Sequence, residues 1–157
     1  MVKVIGTYKK HLIDLWVFCK DNFCSDFYYT ENNKRFFVAD PYTIKNLFAN
    51  SKKIVVVETP TGIDGIAVVW RGVGGDKARD YVKINAPDRD TAYKLLDVLL
   101  DNYNKELYVK VRKDFDYLDI LKKFGFRWYH NRGKEVLLKR TPVRRNKNDI
   151  ERHRDKS

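Results

Sequence analysis

The side chains best suited to metal or disulfide chemistry are two cysteines and three histidines, and their spacing argues against a shared site. Cys19 and Cys24 lie five residues apart on a segment whose apolar spacing predicts a helix, which separates them by about 140° around the helix axis. The pair also lacks the two-residue gap and the distant partners of a zinc site. The histidines, His11, His130 and His153, are scattered along the chain. We therefore expect two reduced thiols, as in a cytoplasmic protein, and no metal centre.

Several motifs of enzymes and membrane proteins are missing from the sequence. It contains no Gly-x-Ser-x-Gly, the turn that carries the nucleophile of many serine hydrolases. The glycine cluster at 72–75 lacks the Lys-Ser/Thr ending of a phosphate-binding loop and is better interpreted as a flexible link between strands. No apolar run approaches the roughly 18 residues that a bilayer span needs, and the N-terminus lacks a signal-peptide pattern. We therefore expect neither a membrane span nor secretion.

The basic charge of the chain is concentrated at its C-terminus. The whole sequence has 32 Lys and Arg against 21 Asp and Glu, whereas residues 139–157 alone have eight against three. Few apolar residues follow Pro142, so residues 141–157 are predicted to form a mobile basic tail. One interpretation is a foothold on a nucleic acid or another polyanion, and the other is a tail that only keeps the protein soluble. The residues that would bind a nucleic acid are Arg140, Arg144, Arg145 and Lys147.

Residues 1–140 alternate strand-like and helix-like patterns, which predicts one mixed α/β domain. Strands are predicted at residues 2–8, 53–59, 65–72, 80–86, 106–112, 127–130 and 134–139. Helices are predicted at residues 11–23, 40–50, 91–104 and 114–124, with Asp40 and Asp114 as N-terminal caps and Gly125 as a stop. The segment 24–39 has no clean period and is predicted to be a loop. The predicted order is therefore β-α-α-β-β-β-α-β-α-β-β.

The segment from Leu118 to Phe126 ends a predicted helix with basic residues, an aromatic residue and a Gly-Phe pair. Together with the two predicted strands that follow, it resembles the C-terminal part of GNAT-superfamily acyltransferases. The order of elements also matches that family over residues 1–140. The resemblance implies a GNAT-like mixed α/β sheet with splayed central strands. In it, the strand at 80–86 would diverge from the strand at 106–112, and acyl-CoA would lie in the gap.

The resemblance also implies where the cofactor, acetyl-CoA or another acyl-CoA, would bind. In such proteins the pyrophosphate lies at the start of the helix that corresponds to Thr91–Asn104, where free amides and the helix dipole attract phosphate. The family's loop there carries glycines that allow close approach, whereas residues 86–92 contain none. The positions that would contact the cofactor are Ile84, Asn85, Ala86, Arg89, Thr91 and Ala92. The alternative is that Asp88 or Asp90 simply caps the helix.

The same resemblance implies which residues would be catalytic. Many family members carry a tyrosine four positions before the glycine of the Gly-Phe signature, where it protonates the departing thiolate; that position is Leu121 here. Tyr117, one turn earlier, could take this role, or it could be a packing residue. Family members often place a general base on the central strands, which makes Glu58 and Asp80 candidate bases and Tyr81 a residue that could orient the acceptor.

Two functional hypotheses follow from these expectations. In the first, the chain is a divergent acyl-CoA-dependent N-acyltransferase acting on an amine or a nucleic-acid-linked acceptor, and the aromatic segment 23–37 and the helix after it shape the acceptor pocket. In the second, a GNAT-fold protein has lost the cofactor and the activity and serves as a nucleic-acid-binding or virion-associated module. Some divergent relatives of the fold look phage-encoded, and such a protein would act in the host cytoplasm or in the virion. The sequence leaves the oligomeric state open.

Overall fold

The computed structural model describes residues 1–72 and 79–142, which form a mixed sheet with helices on both faces. The strands are β1 (Val2–Val4), β2 (Tyr28–Glu31), β3 (Lys34–Phe37), β4 (Ser51–Thr59), β5 (Gly62–Arg71), β6 (Asp80–Asn85), β7 (Leu107–Arg112), β8 (Arg127–Arg132) and β9 (Glu135–Arg140). The helices are α1 (Leu12–Asp21), α2 (Pro41–Ala49), α3 (Arg89–Asp101) and α4 (Leu118–Lys123), with a 3-10 turn at Lys9–His11. The order of the main sheet is β1-β4-β5-β6-β7-β9-β8, and β2 pairs with β3 in a separate hairpin.

Each face of the main sheet buries its own hydrophobic core. On one face, α3 and α4 pack with their apolar stripes inward, and Leu95 and Leu99 of α3 are fully buried. On the other face, α1, α2 and the β2–β3 hairpin cover residues such as Trp70, with Leu15 of α1 fully buried. The leucine spacing therefore predicted the buried side of α3 correctly.

The helix α2 begins and ends where the sequence predicts. The Asp40 carboxylate accepts a hydrogen bond from the Thr43 amide at 2.8 Å, and Pro41 occupies the first turn, where its missing amide proton costs nothing. The helix ends at Ala49. A capping side chain of this kind is worth about 1 kcal/mol, which is enough to fix the start of a short helix.

The helix α4 begins later than predicted, and Asp114 is not its cap. The chain after β7 first makes a turn in which the Phe115 amide donates to the Arg112 carbonyl at 3.0 Å. Phe115 is buried in the core, so this turn holds the chain away from helical geometry until Leu118. The predicted stop is correct, because Gly125 has a φ of +94°, a conformation that favours glycine.

The segment 24–39 is not a loop as predicted, because it contains the hairpin of β2 and β3. Asn32 and Asn33 form the turn with φ values of 53° and 63°. Two positive φ values suit a two-residue hairpin turn, and asparagine is one of the few residues that tolerate them. The observed order of elements therefore has two more strands than the predicted one, inserted between α1 and α2.

The central strands β6 and β7 are parallel and splayed, as the resemblance implies. Their ladder has a single register pair, Tyr81 with Tyr108. By contrast, β6 pairs with β5 along its whole length, from Asp80 to Asn85. Because Tyr81 and Tyr108 lie near the starts of their strands, the gap opens toward the ends of β6 and β7.

Both cysteines are free thiols. Cys19 is buried in α1, and burial raises its pKa to about 12, so it carries almost no reactive thiolate at neutral pH. No cluster of metal-ligating side chains occurs among residues 1–72 and 79–142. Within the same ranges, no helix is long and apolar enough to cross a bilayer.

Candidate functional site

The candidate site is the wedge-shaped gap between β6 and β7. It is closed at the Tyr81–Tyr108 pair and opens toward Ala86, which follows β6. Beyond Tyr81, β6 has no ladder partner on the β7 side, so backbone groups there face the gap. An extended ligand with amide groups can pair with such groups in the way that another strand would. The start of α3 lies just past the open end of the gap.

Asp88, one of the two aspartates predicted as a possible cap, caps the start of α3. Its carboxylate accepts a hydrogen bond from the Thr91 amide at 2.8 Å, and its carbonyl accepts one from the Ala92 amide at 3.0 Å. The hydrogen bond from the Thr91 backbone is the main reason that the pKa of Asp88 is lowered. Asp90 is not the cap, because it lies inside the first turn of the helix, where it forms an ion pair with Lys94 at 2.9 Å. The helix start therefore already holds a carboxylate.

Arg89 is directed toward α4. Its guanidinium forms an ion pair with Asp119 and donates to the Asp116 carbonyl at 3.0 Å. The hydrogen bond to Asp119 raises the pKa of Arg89, so the side chain stays fully charged. Both partners are exposed, and such a surface pair is worth little in stability. In this arrangement the positive charge of Arg89 is paired with a carboxylate.

Tyr117 spans the open end of the gap. Its hydroxyl donates a hydrogen bond to the Ala86 carbonyl at 3.1 Å, which links the start of α4 to the end of β6. The ring packs edge-on against Phe115, with 5.5 Å between centroids. Burial is the main reason that the pKa of Tyr117 is raised, so the hydroxyl keeps its proton at neutral pH. Of the predicted catalytic residues, Tyr117 is the one that contacts the open end.

Asp80 and Tyr81 lie at the closed end of the gap. Asp80 pairs with Lys52 at 3.0 Å and accepts a hydrogen bond from the Tyr103 hydroxyl at 2.6 Å. Tyr81 is buried between the rings of Trp70 and Tyr108, each about 6.1 Å away. The carboxylate of Asp80 is thus engaged by two partners at the end of the gap opposite Tyr117.

Glu58 is separated from the gap by a strand. It lies on β4, and β5 stands between β4 and β6. Its carboxylate forms an ion pair with Lys3 at 2.6 Å, and the hydrogen bond from Lys3 is the main reason that its pKa is lowered. The fold therefore does not bring Glu58, Asp80 and Tyr117 together as one catalytic group.

The cofactor positions predicted on β6 alternate between the two faces of the sheet. Ile84 is buried in the core under α3. Asn85 is buried on the other face and donates to the Asn22 carbonyl at 2.9 Å. The neighbouring Lys83 is only 5% exposed, with its ammonium 4.4 Å from the centroid of the Tyr28 ring. Sequence reasoning missed Lys83; the available signal was a lysine between the apolar Val82 and Ile84 in the middle of a predicted strand.

The β2–β3 hairpin covers the gap from the α1 side. Tyr28 donates to the Glu135 carboxylate at 3.3 Å, and Arg35 forms an ion pair with the same carboxylate. Just before the hairpin, Asp26 pairs with Arg112 at 3.7 Å. These contacts tie the hairpin to β9 and β7, while Tyr28 also contacts Lys83 on β6. The aromatic segment predicted to shape an acceptor pocket therefore lies over both sides of the gap.

The residues at this site fit one part of an acyl-CoA and not another. The part of β6 beyond its register pair with β7 suits the amide-bearing arm that carries the thioester. The start of α3 does not suit a pyrophosphate, because the Asp88 carboxylate occupies the Thr91 amide. Arg89 is paired with Asp119, and residues 86–92 have no glycine to allow close approach. The start of α3 therefore does not fit the nucleotide part of an acyl-CoA.

Of the four predicted nucleic-acid-binding residues, the structure describes one. Arg140 lies at the end of β9, where its Nε donates to the Phe124 carbonyl at 2.8 Å. One of its terminal nitrogens, Nη1, is buried, and burial lowers the pKa of the guanidinium. Arg144, Arg145 and Lys147 lie outside the described residues, as does the predicted tail after residue 142.

The fold is that of known acetyltransferases. A GCN5-related N-acetyltransferase from Kribbella flavida has 11% sequence identity and a TM-score of 0.62, with 90% of this chain and 98% of that chain covered. The ribosomal-protein-S18-alanine N-acetyltransferase of Escherichia coli has 12% identity and a TM-score of 0.58, with 94% and 98% covered. A Salmonella typhimurium protein described as an acetyltransferase, solved with its cofactor acetyl-CoA, has 11% identity and a TM-score of 0.61, with 92% and 95% covered.

These likenesses are in structure and not in sequence. No protein-family model matches the chain, and no curated protein matches it. The predicted α/β fold class is thus confirmed as a GNAT fold, which spans nearly the whole length of the neighbours.

Proposed function

We propose that the protein is a GNAT-fold acyltransferase that moves an acyl group from a thioester to an amine, with the arm of the thioester in the gap between β6 and β7. The observation that carries this proposal is the parallel ladder that stops after the Tyr81–Tyr108 pair. The likeness to N-acetyltransferases over about nine tenths of the chain supports it. The acceptor class remains an amine, free or linked to a nucleic acid.

The donor would supply an activated acyl group, and its transfer to an amine would release a thiolate. The hydroxyl of Tyr117 holds a proton at the open end of the gap, because burial raises its pKa. The hairpin shields the opposite side of the same gap from water through the Tyr28 and Arg35 contacts to Glu135. Glu58 and Asp80 are each engaged away from the open end, so we assign neither the role of base.

The nucleotide of an acyl-CoA would add little to the binding of the donor. Asp88 caps the helix that binds pyrophosphate in the resembled family, and its negative charge repels a phosphate at short range. We therefore infer that the protein recognises the acyl-bearing arm, and that acetyl-CoA binds no better than the same thioester without its nucleotide.

Calorimetric titration tests this function with two donors, acetyl-CoA and S-acetylpantetheine, which lacks the nucleotide. We expect the two dissociation constants to agree within about threefold. Neither should be tighter than roughly micromolar, a binding free energy of about −8 kcal/mol. Mass spectrometry of a mixture with small amines then reads the transfer of the acyl group. Heat with neither donor would overturn the proposal.

The second candidate is a GNAT-fold protein without cofactor or activity that binds a nucleic acid. The observation that favours it is the Asp88 cap, because the carboxylate occupies the Thr91 amide and its negative charge disfavours a phosphate at the helix start. The same titration separates the two candidates. Failure of both donors, with binding of an oligonucleotide retained, would favour this one.

A further inference from the structure

The edge of the main sheet is an exposed strand with two large aromatic residues. β8 is the last strand of the sheet, and all six of its residues are exposed. Trp128 and Tyr129 are each 49% exposed. Exposed aromatic rings on a strand that ends a sheet are costly in water unless they meet a partner. The edge therefore has the features of a contact surface.

The same edge is strongly basic. Residues 120–134 contain five Lys or Arg and no Asp or Glu. None of these five takes part in the ion pairs found among residues 1–72 and 79–142. They are Lys122, Lys123, Arg127, Arg132 and Lys134. Their charge is thus left for an external anion.

Cations lie beside both aromatic rings. On the α4 side, the Lys122 ammonium lies 5.8 Å from the centroid of the Trp128 ring. On the opposite face of the sheet, Tyr129 contacts the ring of Tyr108 at 5.6 Å. The Lys139 ammonium, which also pairs with Glu106 at 3.4 Å, lies 5.1 Å from the centroid of the Tyr129 ring. Each exposed ring of the edge therefore has a positive charge within a few ångströms.

A cleft continues this surface at the end of β8. It has a volume of about 560 Å³ and lies between the turn after β7 and the turn after β8. Its lining residues are Arg112, Lys113, Asp114, Gly133 and Lys134. Arg112 pairs with Asp26 and Asp114, so Lys113 and Lys134 are the cations that the cleft offers to a phosphate-bearing segment.

We propose that this β8 surface binds single-stranded nucleic acid around the edge of the sheet, with Trp128 on the α4 face, Tyr129 on the hairpin face and the cations of residues 120–134 beside them. Unpaired bases can stack on exposed rings, while neighbouring cations hold the phosphates, and no base-specific contact is needed. A duplex hides the faces of its bases, so it would bind through the cations alone and not by stacking on the aromatic rings. A second copy of the chain would bring like charges together at this edge. The proposal does not depend on the acyltransferase activity.

Fluorescence anisotropy with a labelled oligothymidylate of about 20 nucleotides, long enough for a typical single-strand site, tests the proposal on the full chain. Trp128→Ala and Tyr129→Ala are each expected to weaken binding about tenfold, the usual effect of losing one stacked base. Tyr42→Ala is the matched control, because Tyr42 is 65% exposed on α2, away from this edge. We expect it to leave the affinity unchanged.

The contribution of charge is tested in the same assay. The double variant Arg132→Gln with Lys134→Gln is expected to reduce the steepness of log affinity against log salt by about 1.4, or 0.7 for each lost phosphate contact. The control Lys45→Gln, on α2, should leave this slope unchanged. A variant with Arg144, Arg145 and Lys147 replaced by Gln isolates this surface from the C-terminal basic residues.

Three outcomes would overturn the proposal. The first is an affinity unchanged in both aromatic variants, with circular dichroism showing that they fold. The second is tighter binding of the matching duplex than of the single strand. The third is a dimer in light scattering that Trp128→Ala converts to a monomer, which would assign the edge to a second copy of the chain.

Discussion

The carboxylate of Asp88 accepts a hydrogen bond from the amide of Thr91 at 2.8 Å, at the helix start that faces the open end of the β6–β7 gap. The cap satisfies an amide that the helix would otherwise leave free. It also places a negative charge where the resembled family binds a pyrophosphate. A single residue therefore stabilises the fold and, under the proposed function, sets which part of a donor can bind.

Replacing Asp88 with Asn separates these two effects. Asparagine keeps an oxygen that caps the helix but removes the charge, so acetyl-CoA should bind about threefold more tightly because less repulsion remains. S-acetylpantetheine, which has no pyrophosphate, should bind as before. Calorimetry with both donors makes the comparison. Asp40→Asn, the same change in the cap of α2, is the control, and an equal gain there would contradict the explanation.

Replacing Tyr117 with Phe tests whether its proton matters for transfer. The change removes the hydrogen bond to Ala86 and should cost about 1 kcal/mol in the free energy of unfolding. If the hydroxyl protonates the leaving thiolate, turnover should fall roughly a hundredfold. Tyr103→Phe is a matched control, because it also removes one hydroxyl hydrogen bond, to Asp80 at the closed end. Equal turnover in the two variants would assign Tyr117 to packing alone.

The sequence predicted the parts of this fold that depend on local patterns. The leucine spacing of α3, the Asp40 cap and the stop at Gly125 each follow from neighbouring residues, and each is present. The hairpin was missed because its signal in the sequence is only a pair of asparagines, which take positive φ values in the turn. The aromatic run around them has no clean period that would predict strands. The choice between Asp88 and Asp90 as cap was also left open, because both are aspartates and either one can cap a helix.

The candidate site was less predictable, because it depends on which strands become neighbours. Glu58 was a reasonable base by residue type, but the sheet order places β5 between its strand and the gap. Lys83 was overlooked, although it is buried against Tyr28 of the hairpin. A contact between residues so far apart in the chain follows from the tertiary packing of a segment that was predicted to be a loop.

Asp26 should give the protein a measurable pH dependence. Burial raises the pKa of this carboxyl above its unfolded value of about 3.8, despite the nearby Arg112. The folded state therefore binds the proton more tightly, so the carboxyl lowers stability once it ionises and restores it as the pH falls through the folded pKa. Asp26→Asn, which is neutral at every pH, should be relatively more stable than the parent protein at pH 7 than at pH 3. Denaturant unfolding across this range measures the difference, and a constant difference would contradict it.

Gly65 sets how closely the start of α3 approaches β5, level with the open end of the gap. A Cβ at this position would lie 3.0 Å from Thr91 Cγ2 and 3.1 Å from Leu95 Cδ1, so Gly65→Ala would push the start of α3 outward. We expect a loss of about 1–3 kcal/mol in the free energy of unfolding, as for other overpacked cores. Gly6→Ala is the matched control, because nothing lies within 4 Å of its Cβ and it should be neutral or slightly stabilising. If the two variants unfold at the same denaturant concentration, the helix is not held by this contact and the position of Asp88 at the gap must be fixed elsewhere.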